Sequence, residues 1–134
     1  MSSWGAKVTE HFTWKEVEGH RSNNKILDKY RGNALALAVA VLEPLRLQTG
    51  ALQVNSWYRS AAVKEQVGGV PTSDHITAEA ADVTPLKVSL EVAWAALLKL
   101  MESGLPVDQA ILYSTHLHVS ITRTVTPRQQ IIYK

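Results

Sequence analysis

Leu35, Val39, Leu42 and Leu45 recur at spacings of three and four, which places them on one face of a helix. Asn33 reads as its N-cap, and the helix should run to about Gln48, with Gly50 ending it. Pro44 falls inside this pattern, and its missing N–H and ring clash should bend or locally break the last turn. Upstream, Thr13-Trp14-Lys15-Glu16 is a capping box that predicts a short first helix to about His20, followed by a loop-like Asn23-Asn24. Leu52 to Ser56 alternates apolar and polar, a strand pattern. Ser60 to Val67 reads as a short helix stopped by Gly68-Gly69, and Pro71 to Asp74 as turn chemistry. Glu79 to Val83 predicts a short strand. Ser89 should cap a long helix to about Ser103 that buries Val92, Ala96, Leu97 and Leu100 and closes at Gly104 and Pro106. Asp108–Tyr113 and Leu117–Ile121 read as strands, and Gln130–Tyr133 as a final edge strand. Helices come first and most strands later, so the expected class is α+β with a mostly antiparallel sheet. No repeat or linker divides the 134 residues, which points to one domain over 1–134.

Composition narrows the function more by exclusion than by indication. Apolar residues make up 46% and charged residues 19%, an ordinary globular balance. The net charge of +2 comes from scattered basic residues with no aromatic interleaving, which argues against nucleic acid. A weak attraction to an anionic cell-wall polymer is compatible with it. The chain has no cysteine, so disulfides, thiolate zinc sites and a cysteine nucleophile are excluded. Met1-Ser2-Ser3-Trp4-Gly5 shows no basic stretch followed by an apolar one, so no secretory signal is expected. Action outside the producing cell would then need another means of delivery. The longest apolar run, Ala34 to Leu42, falls well short of the ~20 residues needed to span a bilayer, so no membrane insertion is expected.

Two clusters carry candidate chemistry. Ser73 to Asp82 puts His75 and Asp82 seven residues apart, with the small residues Ala78, Ala80 and Ala81 between or beside them. Alanines there suit a buried or cleft-lining strand. His116-Leu117-His118-Val119-Ser120 lies further on, and strand alternation should turn His116 and His118 to one face and Leu117 and Val119 to the core. Alone, the first cluster reads equally well as a turn with a charge at a strand end, and the second as polar residues on a solvated face. Together they supply two or three imidazoles and a carboxylate, a set that suits a catalytic Zn²⁺ with one position left for water.

Six segments, in order, resemble the zinc D-alanyl-D-alanine carboxypeptidases and the related phage L-alanyl-D-glutamate endopeptidases, which are grouped with the hedgehog signalling fold. Glu10 to Glu16 resembles the entry segment of that family, and Val41 to Arg46 its helix end. Ser56-Trp57-Tyr58-Arg59-Ser60 is similar to its Ser-Gly-Tyr-Arg-Ser segment. Ser73 to Asp82 is similar to its S-x-H-x-x-G-x-A-x-D signature. Asp108 to Ile111 and Leu117 to Ser120 resemble the closing strands. The resemblance implies that His75, Asp82 and His118 bind zinc in a cleft on the sheet. It implies that Arg59 holds a substrate carboxylate or polarises the attacked carbonyl, work for which a planar guanidinium is suited. It also implies that Ser73 shapes the substrate site. Without the resemblance, Arg59 reads as a surface ion pair and Ser73 as a turn cap. Trp57 and Tyr58 read as packing residues.

Two positions depart from the pattern. Ala78 stands where the signature has glycine, which is tolerable only with a negative φ and no crowding backbone. Thr115 stands where many relatives carry a glutamate base, three residues before the last zinc histidine. His116 is the substitute, since an imidazole titrates near the working pH. Tyr113 and Glu79 are set aside, because alternation sends them to the face away from the ligands. The expected function is therefore a zinc peptidase of the D,D-carboxypeptidase or L-alanyl-D-glutamate endopeptidase type, cutting peptidoglycan stem peptides. A phage lysis or virion-associated enzyme is expected, located in the virion or host cytoplasm and acting on the bacterial wall. The alternative is a structural module of a phage tail tip or baseplate, contacting tail proteins, with weak or no activity.

Overall fold

The computed structural model describes residues 5–60, 74–121 and 127–134. Ser73 and most of the helix expected from Ser60 to Val67 lie outside them.

A small hairpin, β1 (Lys7–Thr9) and β2 (Phe12–Thr13), leads into α1 (Trp14–Val17). The capping box forms as expected, with Thr13 accepting from the Glu16 N–H and the Glu16 side chain reaching back to the Thr13 N–H. The helix ends at Val17 rather than His20, because Gly19 and His20 both turn to positive φ. Next come α2 (Asp28–Leu37), one wide helical turn over Ala38–Leu42, and α3 (Glu43–Thr49). The wide turn bonds the Glu43 N–H to the Ala38 carbonyl, five residues back. Pro44 has no N–H to offer Ala40, and the widened turn absorbs both that loss and the ring. The proline thus perturbs the turn before it, not the last turn of the helix.

The helix starts at Asp28, not at Asn33, which sits within α2 and uses its side chain elsewhere. Leu42 and Leu45 of the expected inward stripe are buried, but its first two positions are displaced by one residue. Ala34, Leu37, Ala38, Val41, Leu42 and Leu45 are buried, while Leu35 and Val39 are 36% and 58% exposed. Alanines, not the bulkier leucine and valine, face the core where the helix packs closely. Gly50 ends α3 at φ 80, a conformation that suits glycine.

The main sheet has strand order β3-β4-β6-β5-β7. Its members are β3 (Leu52–Ser56), β4 (Ala80–Pro85), β5 (Val107–Leu112), β6 (Leu117–Ile121) and β7 (Gln130–Tyr133). All neighbours are antiparallel except β5 and the edge strand β7. Between β4 and β5 runs α4 (Leu90–Glu102), capped by the Ser89 hydroxyl on the Val92 N–H. It buries Ala93, Trp94, Leu97 and Met101. Val92 is 53% exposed, and Ala96 and Leu100 only pack at the margin of the core. The class is mixed α+β, as expected. No helix among the described residues is long and apolar enough to cross a membrane.

One sheet face is core. Ala81 and Val83 pair with Val119 and Leu117, all fully buried. The opposite face of the same pairs carries Asp82 opposite His118 and Ala80 opposite Ser120. Trp57, just past β3, is fully buried, with Phe12 edge-on to it at 6.0 Å. Such a pair contributes about 0.5–1.5 kcal/mol beyond area burial and anchors the segment that follows. Tyr58 is also buried, so both aromatics pack as expected.

Candidate active site

Strand pairing does most of the assembly. Asp82 on β4 and His118 on β6 are register partners, so their side chains leave the sheet side by side, with His118 Nδ1 2.8 Å from Asp82 Oδ1. His75 comes from a 3₁₀ turn at Asp74–Thr77. Its Nδ1 lies 2.6 Å from the Trp57 carbonyl, which only accepts, so Nδ1 carries the hydrogen and Nε2 turns to Asp82 Oδ1 at 3.5 Å. One ligand atom from each of His75, Asp82 and His118 lies within 4.8 Å of the others. A four-coordinate zinc ion with bonds of about 2.0–2.1 Å sets neighbouring ligand atoms about 3.4 Å apart. The His75–Asp82 separation matches this, and the shorter His118–Asp82 contact is a hydrogen bond that a cation would replace.

Protonation favours the same use. Burial pushes the Asp82 carboxyl up, but hydrogen bonds from His118 and His75 and their charge outweigh it and hold the group well below the usual carboxylate range. Asp82 is therefore an anion at neutral pH, the form a metal requires. The Trp57 carbonyl behind His75 supplies the outer partner that fixes a ligating imidazole.

Arg59 reaches the group from the other side, with Nη2 3.6 Å from Asp82 Oδ2 and Nε donating to Ser56 Oγ at 3.0 Å. A bulge makes this possible. Val54 faces Val83, but the next partner pair is Ser56 with Asp82, so Asn55 is the extra residue and Ser56 is delivered opposite the carboxylate. Beyond it, the Arg59 N–H donates to the His75 carbonyl at 3.0 Å. Residues 57–59 and His75 therefore hold each other by two bonds.

Two asparagines support this pairing. Buried Asn24 donates to the carbonyls of Glu18 and Tyr58 and accepts from the Ser60 N–H. Asn33 on α2 donates to the Thr77 carbonyl, tying that helix to the turn bearing His75. Neither role was visible in the sequence. Asn24 read as loop and Asn33 as a cap, and only the fold brings their distant partners near.

His116 is not one of the three converging residues. It lies one residue before β6, so strand alternation does not set its direction. Its ring stacks on Tyr113 at 4.5 Å and 18°, and the Tyr113 N–H bonds back to the His116 carbonyl. Tyr113, expected on the far face, is thus its direct neighbour. His116 Nδ1 lies 2.9 Å from the Thr115 hydroxyl, which leaves Nε2 without a partner among the described residues. The loop is anchored in turn, since Thr84 donates to the Thr115 carbonyl and accepts from Asn55. Glu79 is buried and takes a short hydrogen bond from Thr77.

Ala78 departs from expectation in its backbone, with φ at 65 in the left-handed region. Its neighbours over-determine that conformation. The Ala78 N–H bonds the His75 carbonyl, its own carbonyl accepts from the Trp57 indole, and the residue is fully buried.

No curated protein matches the chain. The family model described as Peptidase M15, whose members are zinc-dependent peptidases, matches residues 10–120 and so spans β2, the helices and all three converging residues. By that match the chain belongs to the Peptidase M15 family.

Proposed function

We propose that this protein is a zinc peptidase that hydrolyses peptide bonds in the stem peptides of bacterial peptidoglycan. The observation that carries the reading is the convergence of His75, Asp82 and His118, with the Arg59 guanidinium against the same carboxylate. His75, Asp82 and His118 would hold the ion. Bound zinc would supply a Lewis acid that lowers the pKa of water toward about 7 and stabilises charge on an attacked carbonyl.

The remaining work falls to the chain. Arg59, fixed by Ser56 and by the backbone of His75, orients the substrate through a carbonyl or carboxylate oxygen. His116 takes the proton of the attacking water on Nε2 and returns it to the leaving amine. Thr115, where relatives carry a glutamate, engages Nδ1 and so holds the ring with Nε2 outward. Asp82 keeps its charge throughout. The reading extends to a phage-encoded lysis or virion-associated enzyme acting on the host wall. Resemblance to phage endopeptidases supports that extension.

The test combines metal analysis with digestion of purified peptidoglycan. The expected result is one zinc per chain and new amine termini, with His118→Ala losing both. His116→Ala should keep zinc and lose about 10²–10⁴-fold in rate. Zinc at unit stoichiometry with no cleavage would refute the enzyme and favour a structural module.

A further inference from the structure

Beside Arg59 the protein forms a cavity of about 170 Å³ whose walls include none of His75, Asp82 and His118. Its walls include Gly19 and Arg21 from the loop after α1, and Asn55, Ser56, Tyr58 and Arg59 from the end of β3. Its hydrogen-bonding inventory leans toward donors. The Tyr58 carbonyl takes the Asn24 amide and the Trp57 carbonyl takes His75, while the Asn55 side-chain oxygen accepts nothing among the described residues. Asn24 itself is saturated by Glu18, Tyr58 and Ser60. The donors are not. Ser56 Oγ accepts from Arg59 and keeps its own hydrogen to give. Exposed Arg21 has no side-chain partner among the described residues.

Among the described residues no carboxylate lines the cavity. Glu18, the nearest acid in sequence, is turned to the Ile26 N–H and Lys25. A neighbouring cavity of about 270 Å³ shares Arg21 and is lined also by Lys15, Glu18, His20, Ser22 and Lys25, with Glu18 paired to Lys25.

Unspent donors and two guanidinium groups around a small space select a planar anion, because a guanidinium fork matches two carboxylate oxygens. The volume is below the ~300–1,000 Å³ of sites that enclose a whole small molecule. It admits a chain end or one side chain. We infer that this cavity binds a carboxylate of the peptide substrate between Arg21 and Arg59, and that Arg21 is a specificity-determining residue. The inference rests on the peptidase reading above. Ser56 joins the two spaces, since it lines the cavity and pairs in register with Asp82. A substrate anchored by its carboxylate here would present a neighbouring peptide bond to the metal side.

The experiment uses the zinc-loaded protein, a synthetic stem peptide, and versions in which each carboxylate in turn is a carboxamide. One amide should bind about tenfold or more worse than the acid, the loss of a charge-assisted hydrogen bond pair. Arg21→Gln should raise KM for the acid by a similar factor, leave KM for that amide near the wild-type value, and change kcat by less than about twofold. Arg21→Lys should restore part of the preference, because it keeps the charge and loses the fork. Unchanged KM and unchanged acid–amide discrimination in Arg21→Gln would overturn the inference. Calorimetric titration of the same peptides into His116→Ala protein reads binding without turnover. Arg21-dependent acid binding with no hydrolysis by wild type would support the carboxylate site and refute the peptidase. Hydrolysis indifferent to Arg21 would do the reverse.

Discussion

Replacing Asn24 by alanine should unfasten the segment that carries Arg59. The carboxamide makes three bonds across the chain, to the carbonyls of Glu18 and Tyr58 and from the Ser60 N–H. The Glu18 carbonyl keeps the Arg21 N–H at 3.3 Å, so it is not orphaned. The Tyr58 carbonyl and the Ser60 N–H lose these bonds, and the loss of a partner at a buried polar group costs up to about 1–3 kcal/mol. Ser60 is half-buried, so water recovers part of its share. The expected loss is about 3 kcal/mol, a large fraction of the 5–15 kcal/mol typical of a folded domain. Urea unfolding would read it as a fall in midpoint of about 1.5 M for a slope near 2 kcal/mol/M. Asn24→Asp should cost at least as much, because it sets an oxygen against two carbonyls. Peptidase kcat/KM should fall in Asn24→Ala while zinc content holds, since His75 keeps the Trp57 carbonyl. A loss under about 1 kcal/mol with unchanged kcat/KM would show that Asn24 does not hold the site.

Three other substitutions test separate parts of the account. Ala78→Gly relieves about 1–2 kcal/mol of left-handed strain, but it removes a buried methyl worth about 0.8 kcal/mol and loosens the unfolded chain by about 0.4–1 kcal/mol. Its thermal midpoint should stay close to wild type, and a loss above about 2 kcal/mol would refute that balance. Ser120 is fully buried, and its hydroxyl has no partner among the described residues, so Ser120→Ala should be neutral or stabilising in the same unfolding assay. Hydrogen bonds from Arg128 hold the Asp108 carboxyl below its ordinary value of 3.8, against a smaller opposing effect of burial. A lowered folded pKa contributes stability above the unfolded value and loses it as pH falls through the folded one. Thermal melts should therefore show Asp108→Asn less stable than wild type at pH 7, with the gap closing below about pH 4. A gap that persists in acid would point to packing instead.

Local patterns announced themselves where their cause is local. The Thr13 capping box, the Ser89 cap, the stop at Gly50 and the boundaries of β3 and β6 follow from side chains acting within a few residues. The helix stripe was harder to read, because hydrophobicity favours Leu35 and Val39 while close packing favours Ala34 and Ala38. The ligand residues could be named, but their meeting depends on register. A shift of one residue between β4 and β6 would turn His118 to the core and break the pair with Asp82.

The sequence by itself therefore determined the main-sheet strands, the longer helices, the mixed α+β class and the residues capable of binding a metal, since these rest on propensity, periodicity and ligand chemistry, while the β1–β2 hairpin left no signal that was read. The tertiary structure alone decided how those residues work together. It placed Asn55 in a bulge so that Ser56 faces Asp82, turned His75 by the Trp57 carbonyl, and stacked His116 on Tyr113 instead of setting it in a strand. It also brought Asn24 and Asn33 to partners 34 and 44 residues away. Contacts over such separations form only once the chain has paid its ordering entropy, and no local pattern in the sequence records them.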